Sequence, residues 1–364
     1  MEFRLGLECL NREDLKGNIS MVTNSTGVTT SLEQNVDLLR SKDVMVREIF
    51  APEHGFYTAF KNGEDVPDET YNGIPVTSIY SENRKPFSKD RLEGVDTVIY
   101  DLQDAGSRPY THLSILKELL KATKDAGIRL IVCDRPAPLS GSRVEGPMIE
   151  KENLSFVGID QIPLRYGMTI GEVAIFMNQK IGADLKVSKM SGYSRDGYYD
   201  KYMKFYVPPS LNLSCLDSVI NFSGLVLLEA TKASVGRGTP YPFLEFGFSK
   251  HFQFPTSKIN GAKLRKTMFV PTLDPLRDAM VKGYFIHIYD RDKYSSIELV
   301  IEAMKELSKV DPDFVDFKHM AKLYGSLKIK RYIENEVSTD EIRTEWKDEN
   351  RDYMEQRTNC FLYN

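Results

Sequence analysis

A chain of 364 residues, 41% of them hydrophobic, can bury a substantial core, and its length favours two domains over one. The formal net charge of −4 gives no electrostatic reason to bind nucleic acid or an anionic membrane surface, so we expect neither partner. The composition does not exclude a small neutral or anionic ligand.

The cysteines and the amino terminus favour a cytoplasmic protein. Cys9, Cys133, Cys215 and Cys360 stand far apart without a Cys-x-x-Cys pair, which indicates neither a zinc site nor a disulfide framework. The first ten residues carry acidic side chains where a signal peptide has basic ones. No apolar run approaches the roughly 20 residues that a membrane-spanning helix needs. We therefore predict a cytoplasmic protein without metal or membrane anchor.

Strand-like and helix-like segments alternate through the first half of the chain, which is typical of a parallel sheet with crossover helices. Apolar segments predict strands at residues 18–23, 44–50, 97–102, 130–133 and 185–190. Helical spacing and capping boxes predict a helix opened by Thr30 and Glu33, a helix over 113–126, and a helix from Thr169 to about Gln179.

The pattern changes after about Tyr193, where Tyr-, Ser- and Pro-rich loops begin. A strand at 284–289, a helix at 295–310 and a charged surface helix at 339–357 are predicted beyond them. We therefore predict an α/β protein of two domains. Residues 1–193 hold the parallel sheet, with a cleft at the carboxyl ends of its strands, and residues 194–364 form a smaller α+β unit that contributes to the cleft.

Pro52-Glu53-His54-Gly55 places a carboxylate and an imidazole directly after the predicted strand 44–50. Ligands of open α/β sheets bind beyond the carboxyl ends of the strands, so this position is typical of a catalytic site. Pro52 fixes the backbone before Glu53 and Gly55 allows a sharp exit, so a partly buried Glu53 could act as a general acid. The alternative is structural, with Glu53 paired to an arginine and His54 only packed.

Other polar residues follow the third predicted strand. Gln103 and Asp104 come directly after it, and Arg108 and Tyr110 lie just beyond them. This mixture suits hydrogen bonding to a polyhydroxylated ligand, with Arg108 available for a carboxylate on that ligand. Capping of the following helix, to which Thr111 could contribute, is the alternative interpretation.

Further loops add groups that could join the same cleft. Asp134 and Arg135 end the fourth predicted strand, and Glu145 lies in the segment after it. Asn24 stands between the first strand and a helix, a geometry that can hold an anion, but its neighbours match neither a Walker motif nor Gly-x-Gly-x-x-Gly. Nucleotide binding is therefore not indicated. Arg237, flanked by glycines, could face a ligand or stand in an ordered turn.

Several of these motifs occur in the order seen in NamZ-type exo-β-N-acetylmuramidases, and the chain resembles that family over essentially its whole length. The matching segments are Thr-Asn-Ser-Thr-Gly-Val (23–28), Pro-Glu-His-Gly (52–55), Asp-Leu-Gln-Asp-Ala-Gly-Ser-Arg (101–108), Asp-Arg-Pro (134–136), Val-Glu-Gly-Pro (144–147), Gly-Met-Thr-Ile-Gly-Glu (167–172) and Gly-Arg-Gly-Thr (236–239). The resemblance implies a Rossmann-like amino-terminal domain without a nucleotide or other cofactor, and a smaller auxiliary domain. It also implies hydrolysis that releases N-acetylmuramic acid from the non-reducing end of peptidoglycan fragments.

The resemblance also implies residue roles. Glu53 matches the proposed catalytic glutamate, and Asp104 and Glu145 are the candidate second carboxylates. Positions that match the family's cleft motifs are expected ligand contacts, and we add to them Asn24 and His54 from the strand-end loops. The full set of expected ligand contacts is Asn24, His54, Gln103, Arg108, Tyr110, Asp134, Arg135, Asn212 and Arg237.

The chain also departs from the family pattern. Tyr166 replaces a usual His and Val235 a usual Glu, so two ionisable groups are missing, and further differences fall at Pro109, His112, Ala137, Tyr241 and Leu244. The leading hypothesis is an exo-acting glycosidase that cleaves β-linked N-acetylmuramic acid or a related amino-sugar conjugate, with Glu53 as general acid. The alternative is a non-catalytic or substrate-shifted glycan-binding protein that retains the cleft.

Overall fold

Strands and helices alternate along the first half of the computed structural model, which describes residues 2–61, 64–79, 87, 90–273 and 275–364. The strands are Ile19–Thr23 (β1), Val46–Ala51 (β2), Glu69–Tyr71 (β3), Ile74–Ser78 (β4), Thr97–Asp101 (β5), Arg129–Cys133 (β6), Glu145–Met148 (β7), Pro163–Arg165 (β8), Leu185–Ser188 (β9), Glu245–Phe248 (β10), Ala262–Phe269 (β11) and Val281–Ile288 (β12). The helices are Asn35–Ser41 (α1), His112–Ala126 (α2), Ile170–Ile181 (α3), Leu216–Leu225 (α4), Ser296–Val310 (α5), Phe317–Tyr324 (α6), Lys328–Glu334 (α7), Thr339–Glu349 (α8) and Arg351–Gln356 (α9). Within the described ranges, no helix combines the length and apolar character needed to cross a membrane.

Seven strands form one sheet in the order β3-β4-β2-β1-β5-β6-β9, and its pairings are parallel except that between β3 and β4. The central strands β1 and β5 are buried at every residue. Val22 and Val98 pack in the cluster formed with α2 and α3, whereas Met21 and Ile99 pack with Val36 of α1. Both faces of the sheet are covered, which explains the continuous apolar runs of these strands. The predicted α/β class is confirmed.

The strand order reverses at β1, which lies between β2 and β5. The carboxyl ends of these three strands therefore meet at one edge, and Thr23 at the end of β1 pairs with Asp101 at the end of β5. Such a reversal leaves a crevice beyond the strand ends, where open α/β sheets bind ligands. The loops that begin with Asn24, Pro52 and Leu102 all start at this edge.

The two capping boxes predicted in the first half have different outcomes. The capping box of α3 is confirmed, because Thr169 Oγ1 accepts from the Glu172 backbone N–H at 3.3 Å and Glu172 Oε2 accepts from the Thr169 N–H at 3.0 Å. The predicted start at Thr30 is wrong, since α1 begins at Asn35. Thr30 instead donates its hydroxyl to Glu8 Oε1 at 2.8 Å, so the amino-terminal segment occupies the group that would have capped a helix.

The second half consists of an antiparallel sheet, β10-β12-β11, packed with helices. The predicted strand at 284–289 corresponds to β12 and the helix at 295–310 to α5, whose cap Ser295 accepts from the Glu298 N–H at 3.3 Å. Helices α4 and α5 approach closely at Gly224, where an added Cβ would lie 2.0 Å from the carbonyl oxygen of Ser296. This contact therefore requires glycine.

The end of the chain returns to the first sheet. The ring of Tyr353 meets that of Phe176 on α3 at a centroid distance of 5.5 Å, and the Tyr363 hydroxyl donates to Asp134 Oδ2 at 2.6 Å. The predicted surface helix 339–357 is divided into α8 and α9, and both bury aromatic rings, those of Trp346 and Tyr353. The predicted domain boundary after residue 193 stays a prediction.

Breaking the buried ion pair at the end of β5 should strongly destabilise the fold. Arg135 donates from Nε to Asp101 Oδ1 at 2.6 Å and from Nη2 to Oδ2 at 2.9 Å, with both side chains almost fully buried. Asp101→Asn should lower the free energy of unfolding by about 3–5 kcal/mol, because it leaves a buried guanidinium without its counter-charge. Urea unfolding followed by fluorescence of Trp346, the single tryptophan, measures the change.

The exposed pair Arg129–Asp184 provides the matched control for this experiment. Arg129→Ala should change the free energy of unfolding by less than about 1 kcal/mol, since exposed pairs contribute little. Equal losses in the two variants would contradict the importance given to the buried pair.

Candidate active site

A cavity of about 340 Å³ lies between the loops that follow the first sheet and the second half of the chain. The first half contributes the loop after β2 and the residues at the start of α2. The second half contributes α4, the turn after it and the loop 236–243. The lining residues are Glu53, His54, Pro109, Tyr110, Thr111, Phe156, Val157, Ser210, Asn212, Leu213, Phe222, Val226, Glu229, Arg237, Phe243 and Leu323.

Glu53 is held at the cavity wall by a tight turn. The Gly55 N–H donates to the Pro52 carbonyl at 3.1 Å, and both His54 and Gly55 have left-handed backbones, with φ of 74° and 76°. A left-handed residue with a side chain is uncommon and is typical of functional turns. Glu53 is 8% exposed, and its Oε2 accepts from the Thr111 hydroxyl at 3.1 Å. Thr111 stands at the start of α2 without capping it, so its hydroxyl serves Glu53 instead.

His54 has a defined hydrogen-bonding role. Its Nδ1 donates to the Phe60 carbonyl oxygen at 2.7 Å. Because a carbonyl only accepts, Nδ1 carries the proton, and Nε2 is left for other partners. His54 lines the cavity, so its Nε2 can form a hydrogen bond with a ligand.

A second carboxylate, Glu229, shares the cavity with Glu53. It lies in the helical turn Val226–Ala230 that follows α4, and Arg237 Nη2 donates to its Oε1. Burial raises the pKa of Glu229 above its ordinary value, the guanidinium of Arg237 opposes this, and the charge of Glu53 adds to it. The pair therefore places a carboxylate and a cation in the cavity with the first-half residues, and both side chains are half-buried.

Aromatic side chains form much of the remaining wall. Tyr110 packs edge-on against Phe222 at a centroid distance of 5.9 Å, and its hydroxyl donates to the Pro209 carbonyl at 2.7 Å. The Arg237 guanidinium lies 5.4 Å from the centroid of the Phe243 ring. Apolar walls with a few convergent polar groups are the usual design of a site for a small organic ligand.

Three expected ligand contacts, Asn24, Asp134 and Arg135, instead belong to a buried network behind the cavity. Asn24 Oδ1 accepts from the Thr26 N–H at 2.9 Å, and Asp134 Oδ1 accepts from the Gly171 N–H at 2.8 Å. The guanidinium of Arg135 is occupied by its ion pair at the end of β5. None of these three side chains lines the cavity that contains Glu53.

Gln103 and Asp104 are also turned into the protein. Gln103 Nε2 donates to the Pro136 carbonyl at 3.0 Å. Asp104 Oδ2 accepts from the Tyr166 hydroxyl and from the Gly106 N–H, the latter at 2.6 Å. Burial raises the pKa of Asp104 to about 6, and these two hydrogen bonds oppose the rise. Tyr166, which replaces a usual histidine, is thus the direct partner of Asp104.

Arg108 lies outside the cavity and joins the two halves of the chain. Its Nη1 donates to the carbonyls of Pro147 and Ile162 at 3.0 and 2.8 Å, and its Nη2 to those of Leu323 and Tyr324 at 3.1 and 2.7 Å. Burial lowers the pKa of Arg108 to about 9. A ligand carboxylate would have to displace these bonds to reach the guanidinium.

Glu145 faces a different cavity, of about 410 Å³, whose lining also includes Trp346. There it forms ion pairs with Arg143 at 2.7 Å and with Arg165 at 2.8 Å. Of the sequence-predicted site residues, the structure therefore brings together Glu53, His54, Tyr110, Asn212 and Arg237.

Glu229 was not among the site residues predicted from the sequence, although one signal could have revealed it. Glu229 is the single charged residue in the run Leu225-Val226-Leu227-Leu228-Glu229-Ala230, and a carboxylate inside an apolar run needs a partner or a function. Val235, at the position of a usual family glutamate, is buried in the hydrophobic core. The carboxylate that meets Arg237 comes instead from six residues earlier.

Comparisons with known proteins match both halves of the chain. The model of the NamZ exo-beta-N-acetylmuramidase N-terminal domain matches residues 19–217, and that of the C-terminal domain matches residues 220–363. The Bacillus subtilis (strain 168) protein named peptidoglycan beta-N-acetylmuramidase NamZ is 33% identical over 367 residues, covering 97% of this chain and 88% of that protein. Crystal structures of two DUF1343 family proteins from Bacteroides fragilis NCTC 9343 have TM-scores of 0.89 and 0.80. Each is 26% identical and covers 100% of this chain and 99% of its own.

The raised pKa of Asp104 should make stability depend on pH. A carboxyl whose pKa is higher in the folded than in the unfolded protein stabilises the fold fully below the unfolded pKa, and this contribution is lost as the pH rises through the folded pKa. Relative to Asp104→Asn, the free energy of unfolding of the unmodified protein should therefore fall by up to about 3 kcal/mol between pH 4 and pH 7. Denaturant unfolding at a series of pH values measures this, and parallel curves for the two proteins would disprove it.

Proposed function

Because the chain belongs to the NamZ family of exo-β-N-acetylmuramidases, we propose that it hydrolyses the β-linkage of N-acetylmuramic acid at the non-reducing end of peptidoglycan fragments. The main observation in support of this proposal is that Glu53 and Glu229 line the same cavity, which has aromatic walls. Two carboxyl groups flanking the bond to be cleaved are the usual machinery of glycoside hydrolysis. The Bacillus subtilis relative is named for a β-N-acetylmuramidase activity on peptidoglycan.

Glu53 acts as the general acid in this proposal. It protonates the glycosidic oxygen as the bond to the anomeric carbon breaks, so that the departing sugar leaves as a neutral alcohol. The hydroxyl of Thr111 holds one carboxyl oxygen at 3.1 Å and fixes the orientation of the other. His54, whose Nδ1 donates to the Phe60 carbonyl, orients a substrate hydroxyl through Nε2.

Glu229 is the second carboxylate in this proposal. Asp104 and Glu145 fit the role less well, because Asp104 is bonded to Tyr166 and Glu145 lies at the other cavity. Arg237 favours the ionised form of Glu229, which is the form needed to attack the anomeric carbon or to activate a water molecule. A carboxyl separation of roughly 5 Å would favour the first path, with retention, and roughly 6.5–9.5 Å the second, with inversion.

The size of the cavity supports exo action. Ligand pockets span roughly 300–1,000 Å³, and about 340 Å³ is at the lower end of that range, which suits one terminal sugar and not a chain. N-acetylmuramic acid carries a lactyl carboxylate, and Arg237 is the cavity's arginine. Its guanidinium can engage that carboxylate through donors that Glu229 does not use. Asn212 adds an amide to the same wall.

Replacing the proposed acid should separate substrates by their leaving groups. Glu53→Gln should lower kcat on a muramyl disaccharide by about 10²–10⁴-fold, because the leaving sugar needs the proton. A dinitrophenyl glycoside of N-acetylmuramic acid should lose far less activity, because its leaving group departs without protonation. Steady-state kinetics on both substrates measure the contrast, and Glu33→Gln, at an exposed glutamate, is the control.

Unchanged activity of Glu53→Gln on the disaccharide would refute the role of Glu53. Saturable binding of the disaccharide without turnover of any glycoside, by the unmodified protein, would identify a glycan-binding protein instead.

Replacing Glu229 should reduce activity on both substrates, whereas replacing Glu53 should affect mainly the disaccharide. Glu229→Ala should reduce turnover of both substrates by at least about 10²-fold, because the missing carboxylate acts whatever the leaving group. Sodium azide should then restore turnover of the dinitrophenyl glycoside and yield a glycosyl azide, since the small anion can occupy the vacated space. Product analysis by NMR checks this. If azide restores nothing and Glu229→Gln keeps full activity, Glu229 is not the second catalytic group.

A further inference from the structure

A surface rich in cations lies on the second sheet of a chain whose net charge is negative. Residues 246–273 contain five lysines and arginines and no aspartate or glutamate. Two of these cations, Lys250 and Lys258, pair with carboxylates elsewhere in the fold. The other three, Lys263, Arg265 and Lys266, lie on β11 and form no salt bridge within 4 Å among the described residues. The carboxylate nearest to them in the sheet is Glu245 on β10: burial raises the pKa of Glu245, and the charge of Arg265 opposes that rise. Such a surface attracts an anionic partner.

Aromatic rings stand beside two of these cations on one face of the sheet. The pairing of β11 with β12 places Lys263 opposite His287 and Arg265 opposite Phe285. The Phe285 ring lies 5.3 Å from that of Tyr241 and 4.8 Å from that of His287, and the Arg265 guanidinium lies 5.3 Å from its centroid. We call these five residues, Tyr241, Lys263, Arg265, Phe285 and His287, the aromatic strip.

Four of the five residues of the aromatic strip are exposed, Phe285 is half-buried, and none of the five belongs to a buried core cluster. Tyr241 is 48% exposed, and Lys263, Arg265 and His287 are exposed as well. The opposite face of β12 supplies the core instead, through Tyr284 and Ile286. A contiguous exposed patch of rings and cations is typical of an interaction surface.

The strip is joined to the active-site cavity by one loop. Tyr241 belongs to the loop 236–243, and two other residues of that loop, Arg237 and Phe243, line the cavity. The loop is fixed to the sheet, because the Thr239 hydroxyl donates to Glu245 Oε1 at 2.9 Å. The loop therefore carries cavity-lining residues and the ring of Tyr241 within seven positions of one another.

We propose that the aromatic strip binds the part of the substrate that leaves, a glycan strand that carries carboxylates. The inference rests on the proposed function, since a cavity that holds one terminal sugar leaves the rest of the strand outside. The rings of Tyr241 and Phe285 offer flat apolar surfaces to the C–H faces of successive sugars. Lys263 and Arg265 pair with the carboxylates of the strand, which gives the surface its charge complementarity.

The test compares two substrates that differ only in the leaving part. One is a methylumbelliferyl glycoside of N-acetylmuramic acid, and the other is a tetrasaccharide of alternating N-acetylmuramic acid and N-acetylglucosamine. In Tyr241→Ala and in the double variant Lys263→Glu/Arg265→Glu, KM for the tetrasaccharide should rise at least about fivefold. The value of kcat/KM for the small glycoside should stay within about twofold. Lys16→Glu/Lys180→Glu makes the same charge change at exposed positions outside the strip and should alter neither constant.

Equal KM values of the strip variants and the unmodified protein for the tetrasaccharide would overturn the proposal, and so would equal losses on both substrates. Calorimetric titration of the tetrasaccharide into Glu53→Gln, with and without the strip substitutions, tests the strip without turnover. A loss of affinity of at least about fivefold on adding the strip substitutions supports the strip even if no glycoside is hydrolysed, and unchanged affinity refutes it. Failure of the strip and failure of the proposed function are thus distinguished.

Discussion

The buried pair of Asp101 and Arg135 is the constraint on which the rest of the sheet edge depends. Asp101 receives two hydrogen bonds from Arg135 and a third from Asn35 Nδ2 at 2.7 Å, and Asn35 also donates to Thr23 Oγ1 at 2.7 Å. These bonds tie the ends of β1, β5 and β6 to the start of α1. Since each partner is buried, loss of one would leave the others without a hydrogen-bond partner in the protein interior, which would lower the free energy of unfolding.

That fixed edge positions the proposed acid. The loop after β1 contacts the turn after β2 directly, because the Ser25 N–H donates to the Phe56 carbonyl at 2.6 Å and its hydroxyl meets that of Thr58 at 3.2 Å. Thr111 contacts Glu53 from the other side, at the start of α2. The geometry of Glu53 is therefore set by contacts from three neighbouring strand ends, which suits a group that must act on one bond of a bound sugar.

The sequence predicts the strand ends well and the direction of their polar side chains poorly. The position of Glu53 after β2 and the cap of α3 can be predicted from the sequence, because each depends on residues that are only a few positions apart. Asp134, Arg135 and Arg108 stand at equally suggestive positions but bond to partners inside the fold, such as Gly171, Asp101 and the carbonyl of Tyr324. A buried polar group needs a partner, and only tertiary structure decides whether that partner is a ligand or the protein.

In the second half of the chain, local sequence failed to predict a residue that does line the cavity. Glu229 follows an apolar helix, so its local pattern predicts only a helix turn. The fold nevertheless places it beside Arg237 and in the same cavity as Glu53. Arg237 contributes to the cavity as the sequence led us to expect, and its acidic partner comes from an unexpected position. The cavity is thus formed by loops from both halves of the chain, and each half is matched by one family model.

The central claim is that one sugar binds between Glu53 and Glu229. A crystal structure of Glu53→Gln with a muramyl disaccharide tests it most directly. The account predicts the terminal sugar in the 340 Å³ cavity, with the side chain at position 53 within about 3 Å of the glycosidic oxygen and the anomeric carbon facing Glu229. A disaccharide bound at the cavity that contains Glu145, or with Glu229 turned away from the anomeric carbon, would contradict it.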